Sequence, residues 1–107
     1  MSADSPDDAA ARARSLDLLQ ATHQFPCSYA VTVIAFNREA VTADVRRAVV
    51  VVLETAVDGP GDTTHETRAS REGKYLSHRF AVPMRNAEEV LEMYARLRVV
   101  EGVVTIL

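Results

Sequence analysis

A β-hairpin pattern in residues 63–82, TTHETRASREGKYLSHRFAV, constrains the fold more than any other feature of the sequence. Two runs of strand-like composition flank a short polar stretch that contains one glycine. Two registers are compatible with that stretch. A type I turn places Ser70 opposite Lys74, whereas a loop centred on residues 72–73 places Ser70 opposite Tyr75.

The alternation of side chains distinguishes the two registers. The second register sets Glu66 against Arg79 and gathers Leu76 and Phe80 on one face with uncharged neighbours. The first register mixes the same apolar residues with Glu66 and Arg68. Because a slip of one residue moves every side chain to the other face of a sheet, we predict the second register. The loop glycine then supplies a positive φ, so backbone geometry explains it without a bound anion.

A strand and a helix precede the hairpin. Residues 29–36, YAVTVIAF, have the β-branched and aromatic composition of a central strand. Residues 39–57 place apolar side chains at steps of three and four, which predicts a helix despite its four consecutive valines. Residues 58–62, DGPGD, are expected to end that helix.

A second helix and a final strand follow the hairpin. Pro83 is expected to end the hairpin's second strand. Asn86, with Glu89 three residues later, predicts a capped helix start. Gly102 is expected to stop this helix, and residues 103–107, VVTIL, form the last strand.

The resulting β-α-β-β-α-β order is typical of a ferredoxin-like α+β sandwich. Its four-stranded antiparallel sheet has both helices on one face, and right-handed crossovers place the first and third strands in the middle. We expect one domain over residues 15–107, with one or two helical turns near residues 15–19. Residues 1–14 are acidic and rich in small side chains, so we expect a flexible tail that is not a signal peptide.

Composition restricts the classes of function. The chain has 107 residues, 48% of them hydrophobic, and a formal net charge of −3. These values suit one globular domain and do not favour nucleic acid or anionic lipid. No apolar run is long enough to span a bilayer, and the single Cys27 forms no intrachain disulfide. We therefore predict a cytoplasmic protein without nucleic-acid or membrane partners.

The sequence resembles the bacterial YbeD-like family, whose function is unknown. The resemblance covers residues 16–107 and rests on FPCSYAVTVIA, a valine-rich helix, GPGD, SREGKYLS and the terminal VVTIL. Its most specific parts are Phe25 and Pro26 and the spacing of Ser70, Gly73 and Tyr75. The resemblance implies a ferredoxin-like fold similar to ACT-like regulatory domains, the small-molecule-sensing modules of amino-acid metabolism. It implies no catalytic residues.

Two places depart from that family. Ala35 and Phe36 stand where members tend to have a glycine, which argues against ACT-like ligand sensing at that loop. His78 stands where a branched apolar residue is usual. In the predicted register His65 and His78 are diagonal neighbours on one face, but zinc requires more ligands, so we predict no metal and no other cofactor. We interpret His78 as a histidine at the core edge and, alternatively, as a pH-sensitive group.

No constellation typical of catalysis is evident. The basic residue nearest to Cys27 in sequence is His23, beyond a proline, which favours a structural thiol. The segment AFNREA contains Arg38 but lacks the glycine-rich loop that an acyl-phosphate hydrolase on this fold would use. We predict that the protein is not an enzyme.

Basic residues cluster around the hairpin. We predict a ligand-binding site for a small anion or carboxylate formed by Arg68, Lys74, Tyr75 and Arg79, with Arg71 nearby. The alternative is a solvated sheet edge with a cross-strand Glu66–Arg79 pair, which would contribute about 0.2–1 kcal/mol.

The sheet face opposite the helices is the second candidate surface. Alternation predicts that Ile34, Phe36, Val104 and Ile106 point outward and form an apolar strip for self-association or for a protein partner. The alternative is that the N-terminal segment around residues 16–19 covers the strip. Aromatic residues for stacking RNA bases are expected on only one of the two central strands, which argues against RNA binding.

Together these observations predict a non-catalytic regulatory or adaptor domain that binds a small ligand or a protein partner. The alternative function is an anion-binding or enzyme-like role at the basic hairpin around Arg68, Tyr75 and Arg79.

Overall fold

The computed structural model of the protein describes residues 6–54 and 63–107. Within these ranges it has three helices and four strands. In chain order they are α1 (Pro6–Thr22), β1 (Cys27–Phe36), α2 (Glu39–Glu54), β2 (Thr64–Ala69), β3 (Tyr75–Met84), α3 (Ala87–Arg98) and β4 (Val103–Ile106). None of these helices is both long enough and apolar enough to cross a membrane. The expected helix terminator at residues 58–62 lies outside the described residues.

The strands form one antiparallel sheet in the order β2-β3-β1-β4. The first and third strands are central, so the predicted ferredoxin-like topology is confirmed. The predicted hairpin register is also confirmed. Glu66 lies opposite Arg79, and the Ser70 N–H donates to the Tyr75 carbonyl at 2.8 Å.

Helices α2 and α3 cover one face of the sheet, and the core lies between them and the strands. Val33 and Phe80 from the central strands are fully buried. Burial of a side chain of this kind contributes about 1.5–3 kcal/mol. The other core residues are Val31, Ala35, Val41, Val45, Ala48, Val49, Val82, Met84, Val90, Met93 and Leu97. The valine-rich segment is therefore helical, as its spacing predicts, and its described side chains at 45, 48 and 49 face the core.

Strand β3 and helix α3 meet at a short capped connection. The strand continues through Pro83 to Met84, two residues further than predicted. Pairing with β2 ends at Ala81, so Pro83 lies where β2 no longer requires an N–H donor. Asn86 is the N-cap, and its side chain accepts a hydrogen bond from the Glu89 N–H at 2.9 Å, as predicted.

A bulge in the β1–β4 pair changes the predicted orientation of the last strand. Ile106 pairs with Val33 and Thr105 with Ile34, but Ala35 pairs with Val103, so the register shifts between Ile34 and Ala35. The extra residue reverses the alternation beyond it. Ile106 consequently packs against the core, and the prediction that it points to the open face is wrong.

Helix α1 differs from the expected one or two turns. It begins at Pro6, and residues 6–14, expected to be a flexible tail, form its first half. Residues 9–15 are exposed, so alanine-rich composition rather than burial explains the helix there. Further along, Leu19 packs against the core and the helix lies against α3. Residues 16–19 therefore lie on the helix side and do not cover the open sheet face.

Candidate functional site

The open face of the sheet carries a groove of about 620 Å³ beside the β2–β3 hairpin. Its lining combines apolar, hydroxyl and cationic side chains. The lining residues are Ile34, Arg68, Ala69, Ser70, Arg71, Tyr75 and Ser77. The groove thus brings predicted members of both candidate surfaces together: Arg68 and Tyr75 of the anion site, and Ile34 of the apolar strip.

Strand pairing positions the groove. Ile34 lies opposite Ser77, which lies opposite Arg68 on the other side of β3. These three residues therefore form one row across β1, β3 and β2. In the next row Phe36 lies opposite Tyr75, and the centroids of their rings are 5.4 Å apart. The floor is consequently built on strands, and such sites are held more rigidly than sites on loops.

Hydrogen bonds fix the hairpin loop that closes one end of the groove. The Gly73 N–H donates to the Ser70 carbonyl at 2.9 Å, and the Tyr75 N–H donates to Ser70 Oγ at 3.0 Å. From the end of β1, Asn37 Nδ2 donates to the Gly73 carbonyl at 3.0 Å. Gly73 has φ +77°. The glycine serves the turn, as predicted, and its N–H is already bonded within the loop.

The predicted cations take different positions around the groove. Lys74 Nζ lies 5.4 Å from the centre of the Tyr75 ring, a cation–π distance. Arg79 projects from the open face opposite Glu66, but these two side chains do not form a salt bridge. Among the described residues, the guanidinium groups of Arg68 and Arg79 have no hydrogen-bond or ion-pair partner. They are available to an anion from solution.

The residues predicted for the apolar strip do not all share one surface. Ile34 and Phe36 are half-buried on the open face. Val104 is exposed at the β4 bulge, and Ile106 faces the other way, as described above. Leu107 takes its place: its backbone exchanges two hydrogen bonds with Thr32, at 2.8 and 3.3 Å, and its side chain is 70% exposed. Only knowledge of the bulge could have identified Leu107.

The two histidines that were predicted to be diagonal neighbours are in direct contact on the covered face. His65 Nε2 and His78 Nδ1 are 2.9 Å apart, and His65 Nδ1 lies 3.0 Å from Arg46 Nη1. Burial and the Arg46 charge lower the pKa of His65, and burial and His65 lower the pKa of His78. Within residues 6–54 and 63–107, no three histidine, cysteine or acidic side chains are grouped closely enough to hold a metal ion.

Comparison with known proteins places the chain in a family. Residues 20–107 match the family described as "Protein of unknown function (DUF493)". The chain belongs to this family. It is also 34% identical over 79 residues to the UPF0250 protein of Shewanella putrefaciens, covering 74% of this chain and 83% of that protein. The resemblance to the YbeD-like family is thereby confirmed, and nothing in these matches indicates catalytic activity.

Two solved structures share the fold. The solution structure of protein HP0495 from H. pylori has a TM-score of 0.60 and 20% identity, over 79% of this chain and 85% of that one. The ACT domain of the GTP pyrophosphokinase of Chlorobium tepidum has a TM-score of 0.51 and 12% identity, over 76% of this chain and 97% of that one. The predicted ACT-like, ferredoxin-like fold is confirmed by both.

Proposed function

We propose that the protein is a non-catalytic regulatory domain that binds a small ligand with a carboxylate or phosphate group in the open-face groove. The observation that carries this proposal is the row Ile34–Ser77–Arg68, which sets an apolar surface, a hydroxyl and an unpaired guanidinium side by side. Guanidinium groups bind carboxylates and phosphates through paired charge-assisted hydrogen bonds.

The groove is better suited to binding than to chemistry. Its described lining residues offer hydroxyl groups, a phenol and two guanidinium groups. None of these lining residues is a histidine, cysteine or carboxylate, so Ser70 and Ser77 lack a histidine or carboxylate base that would activate their hydroxyl groups as nucleophiles. Anion binding at the hairpin and ligand binding by a regulatory domain, which the sequence left as alternatives, therefore become one proposal.

The position of the groove also supports a regulatory role. The ACT domain with the same fold is one module of a larger enzyme, and small-molecule binding by such a fold requires no catalytic residues. In this chain the groove opens on the sheet face that none of the described helices covers. A ligand bound there would contact solvent or a further protein on its outer side, which suits a signalling role.

The direct test is a ligand titration followed by NMR with a panel of amino acids, dicarboxylates and nucleotides. A ligand of the groove should shift the amide resonances of Ile34 and Ser77, and Arg68→Ala should weaken its binding at least about tenfold, since a charge-assisted hydrogen bond contributes about 1.5–3 kcal/mol. Arg12→Ala, on the exposed part of α1, is the matched control and should leave binding unchanged.

Two results would contradict the proposal. One is that no panel member binds at concentrations of about 1 mM, where even a weak site of about 4 kcal/mol would be half occupied. The other is equal weakening by Arg68→Ala and Arg12→Ala. Sedimentation of the same samples with Ile34→Asp addresses the other candidate for this face, association with a second copy, which that substitution should abolish.

A further inference from the structure

Among the residues whose burial the structure describes, His78 is the most deeply buried titratable group that the groove does not use. Its side chain has no exposed surface and lies in the core on β3. His65 on β2 reaches over it, and the Phe80 ring stacks on His65 with centroids 4.2 Å apart and planes at 16°. Arg46 on α2 completes the group at 3.0 Å from His65. One chain of polar contacts therefore joins α2, the edge strand β2 and the central strand β3.

The two hydrogen bonds of this group run in one direction, from Arg46 to His65 and from His65 to His78. A guanidinium only donates, so His65 Nδ1 must accept the hydrogen bond from Arg46. The proton of neutral His65 is then on Nε2, which donates to His78 Nδ1 at 2.9 Å. His78 consequently carries its proton on Nε2, and that buried atom has no hydrogen-bond partner. Both rings are thus Nε2–H tautomers.

His65 and His78 cannot bind an additional proton without breaking one of these two hydrogen bonds. A second proton on His65 would sit on Nδ1 and face the Arg46 guanidinium. A second proton on His78 would sit on Nδ1 and face the N–H of His65. Either change replaces a hydrogen bond by two opposed donors and places a charge in a poorly solvated site.

Among residues 6–54 and 63–107, no acidic side chain compensates for such a charge. Arg46 and the two rings themselves are the groups whose charges act on the pair. On β2 and β3 themselves, Glu66 and Arg79 project from the opposite face of the sheet. On α2 the acid closest to Arg46 in sequence, Asp44, pairs with Arg47 at 3.1 Å. No described carboxylate is therefore bonded to either ring.

We propose that Arg46, His65 and His78 form a proton-sensitive lock, which holds the edge strand β2 in place while both rings are neutral and releases it when a proton binds. β2 is an edge strand, and apart from His65 its residues are exposed, so besides its backbone pairing with β3 few side-chain contacts retain it. β2 also supplies Arg68 to the groove; loss of ligand binding on acidification would follow, and that consequence alone rests on the proposed function.

The pKa values of the two rings determine whether the opening of β2 increases or decreases as the pH falls, and how steeply. The pKa values of both rings are lowered from 6.5 in the folded chain, so the open form binds protons first as the pH falls. The lock is complete above about pH 6.5 and weakens below it until the folded rings titrate as well. For each proton taken up on opening, the opening constant of β2 rises by up to about tenfold per pH unit.

Hydrogen exchange measured by NMR on the whole chain tests this proposal. The amides of β2 should become less protected as the pH falls from about 7 to about 5, and so should the N–H of Ser70, which follows the strand and donates to the Tyr75 carbonyl on β3. The amides that join β1 to β3 should change less. Imidazole nitrogen spectra at neutral pH should show the Nε2–H tautomer for His65 and for His78.

Variants distinguish the lock from general acid sensitivity. His65→Gln and His78→Leu should each flatten the pH dependence of hydrogen exchange in β2. Because His65 is half-exposed, His65→Gln still tests the proposal if His78→Leu, a change in the core, fails to fold. His23→Gln, which removes a histidine packed on Phe25 and Tyr29, should leave it unchanged. An Nδ1–H tautomer on either ring, or the same slope in His65→Gln as in the unmodified chain, would overturn the proposal.

Discussion

The turn between α3 and β4 allows a quantitative test of the packing. Gly102 has φ +100°, and a Cβ atom built on it would lie 2.7 Å from Cγ2 and 3.0 Å from Cγ1 of Val41. Gly73 also has a positive φ, +77°, but a Cβ there would meet nothing within 4 Å. The two glycines therefore separate the cost of backbone conformation from the cost of a steric clash.

We expect Gly73→Ala to lower the free energy of unfolding by about 1–2 kcal/mol, the cost of a left-handed backbone for a residue with a Cβ. Gly102→Ala should cost about 1–3 kcal/mol more, because Val41 in α2 is buried and must move or distort. Urea denaturation followed by circular dichroism gives both values, and tyrosine fluorescence serves as a second probe because the chain has no tryptophan.

A double-mutant cycle with Val41→Ala isolates the clash. Val41→Ala alone should lower the free energy of unfolding by about 1.6 kcal/mol or somewhat more, because it removes two buried methyl groups and leaves a small cavity. Combined with Gly102→Ala it should cost about 1–3 kcal/mol less than the sum of the single changes, since the new methyl group then occupies the space of the lost ones. Equal losses for the two glycine variants, or an additive cycle, would refute this account of the turn.

Two further predictions concern α3. Burial, and then the hydrogen bond that the Tyr94 hydroxyl donates to Tyr29 Oη at 2.9 Å, raise the pKa of Tyr94 above its usual value of 10.0. Because the unfolded chain then loses this proton first, the free energy of unfolding should fall as the pH rises above 10. Tyr94→Phe should remove that dependence, as measured by urea denaturation at several pH values. Asn86→Ala removes the N-cap bond to the Glu89 N–H and should cost about 1 kcal/mol in the same assay. A change below about 0.3 kcal/mol would show that water replaces the cap.

Alternation of side chains was sufficient to predict the centre of the sheet from the sequence. The hairpin register was chosen because Leu76 and Phe80 had to share a face, and that choice placed Glu66 opposite Arg79 and Arg68 on the open face. These inferences depend only on the period of two in a strand. They hold because β2, β3 and most of β1 pair without interruption.

Side-chain alternation predicts the wrong sheet face where a β-bulge adds an extra residue to one strand. The bulge opposite Ala35 reverses the faces of β4, so Ile106 enters the core and Leu107 lies on the open face. Five residues of a terminal strand, VVTIL, are apolar on both parities and carry no turn residue that would signal a bulge. Helix α1 was underestimated for a related reason: its first half buries little, and hydrophobic spacing detects only helices that do.

The contacts among Arg46, His65 and His78 are a third feature that the sequence alone could not fully predict. The diagonal relation of His65 and His78 follows from register, but the partner that orients them, Arg46, lies on α2, and the angle at which a helix crosses a sheet is not encoded in either period. Without Arg46 the two rings could exchange tautomers and share an added proton between them. With Arg46 donating to the outer ring, the direction of both hydrogen bonds is fixed and the added proton is excluded. A single arginine outside the sheet thus converts a pair of packed histidines into a group whose protonation opposes folding.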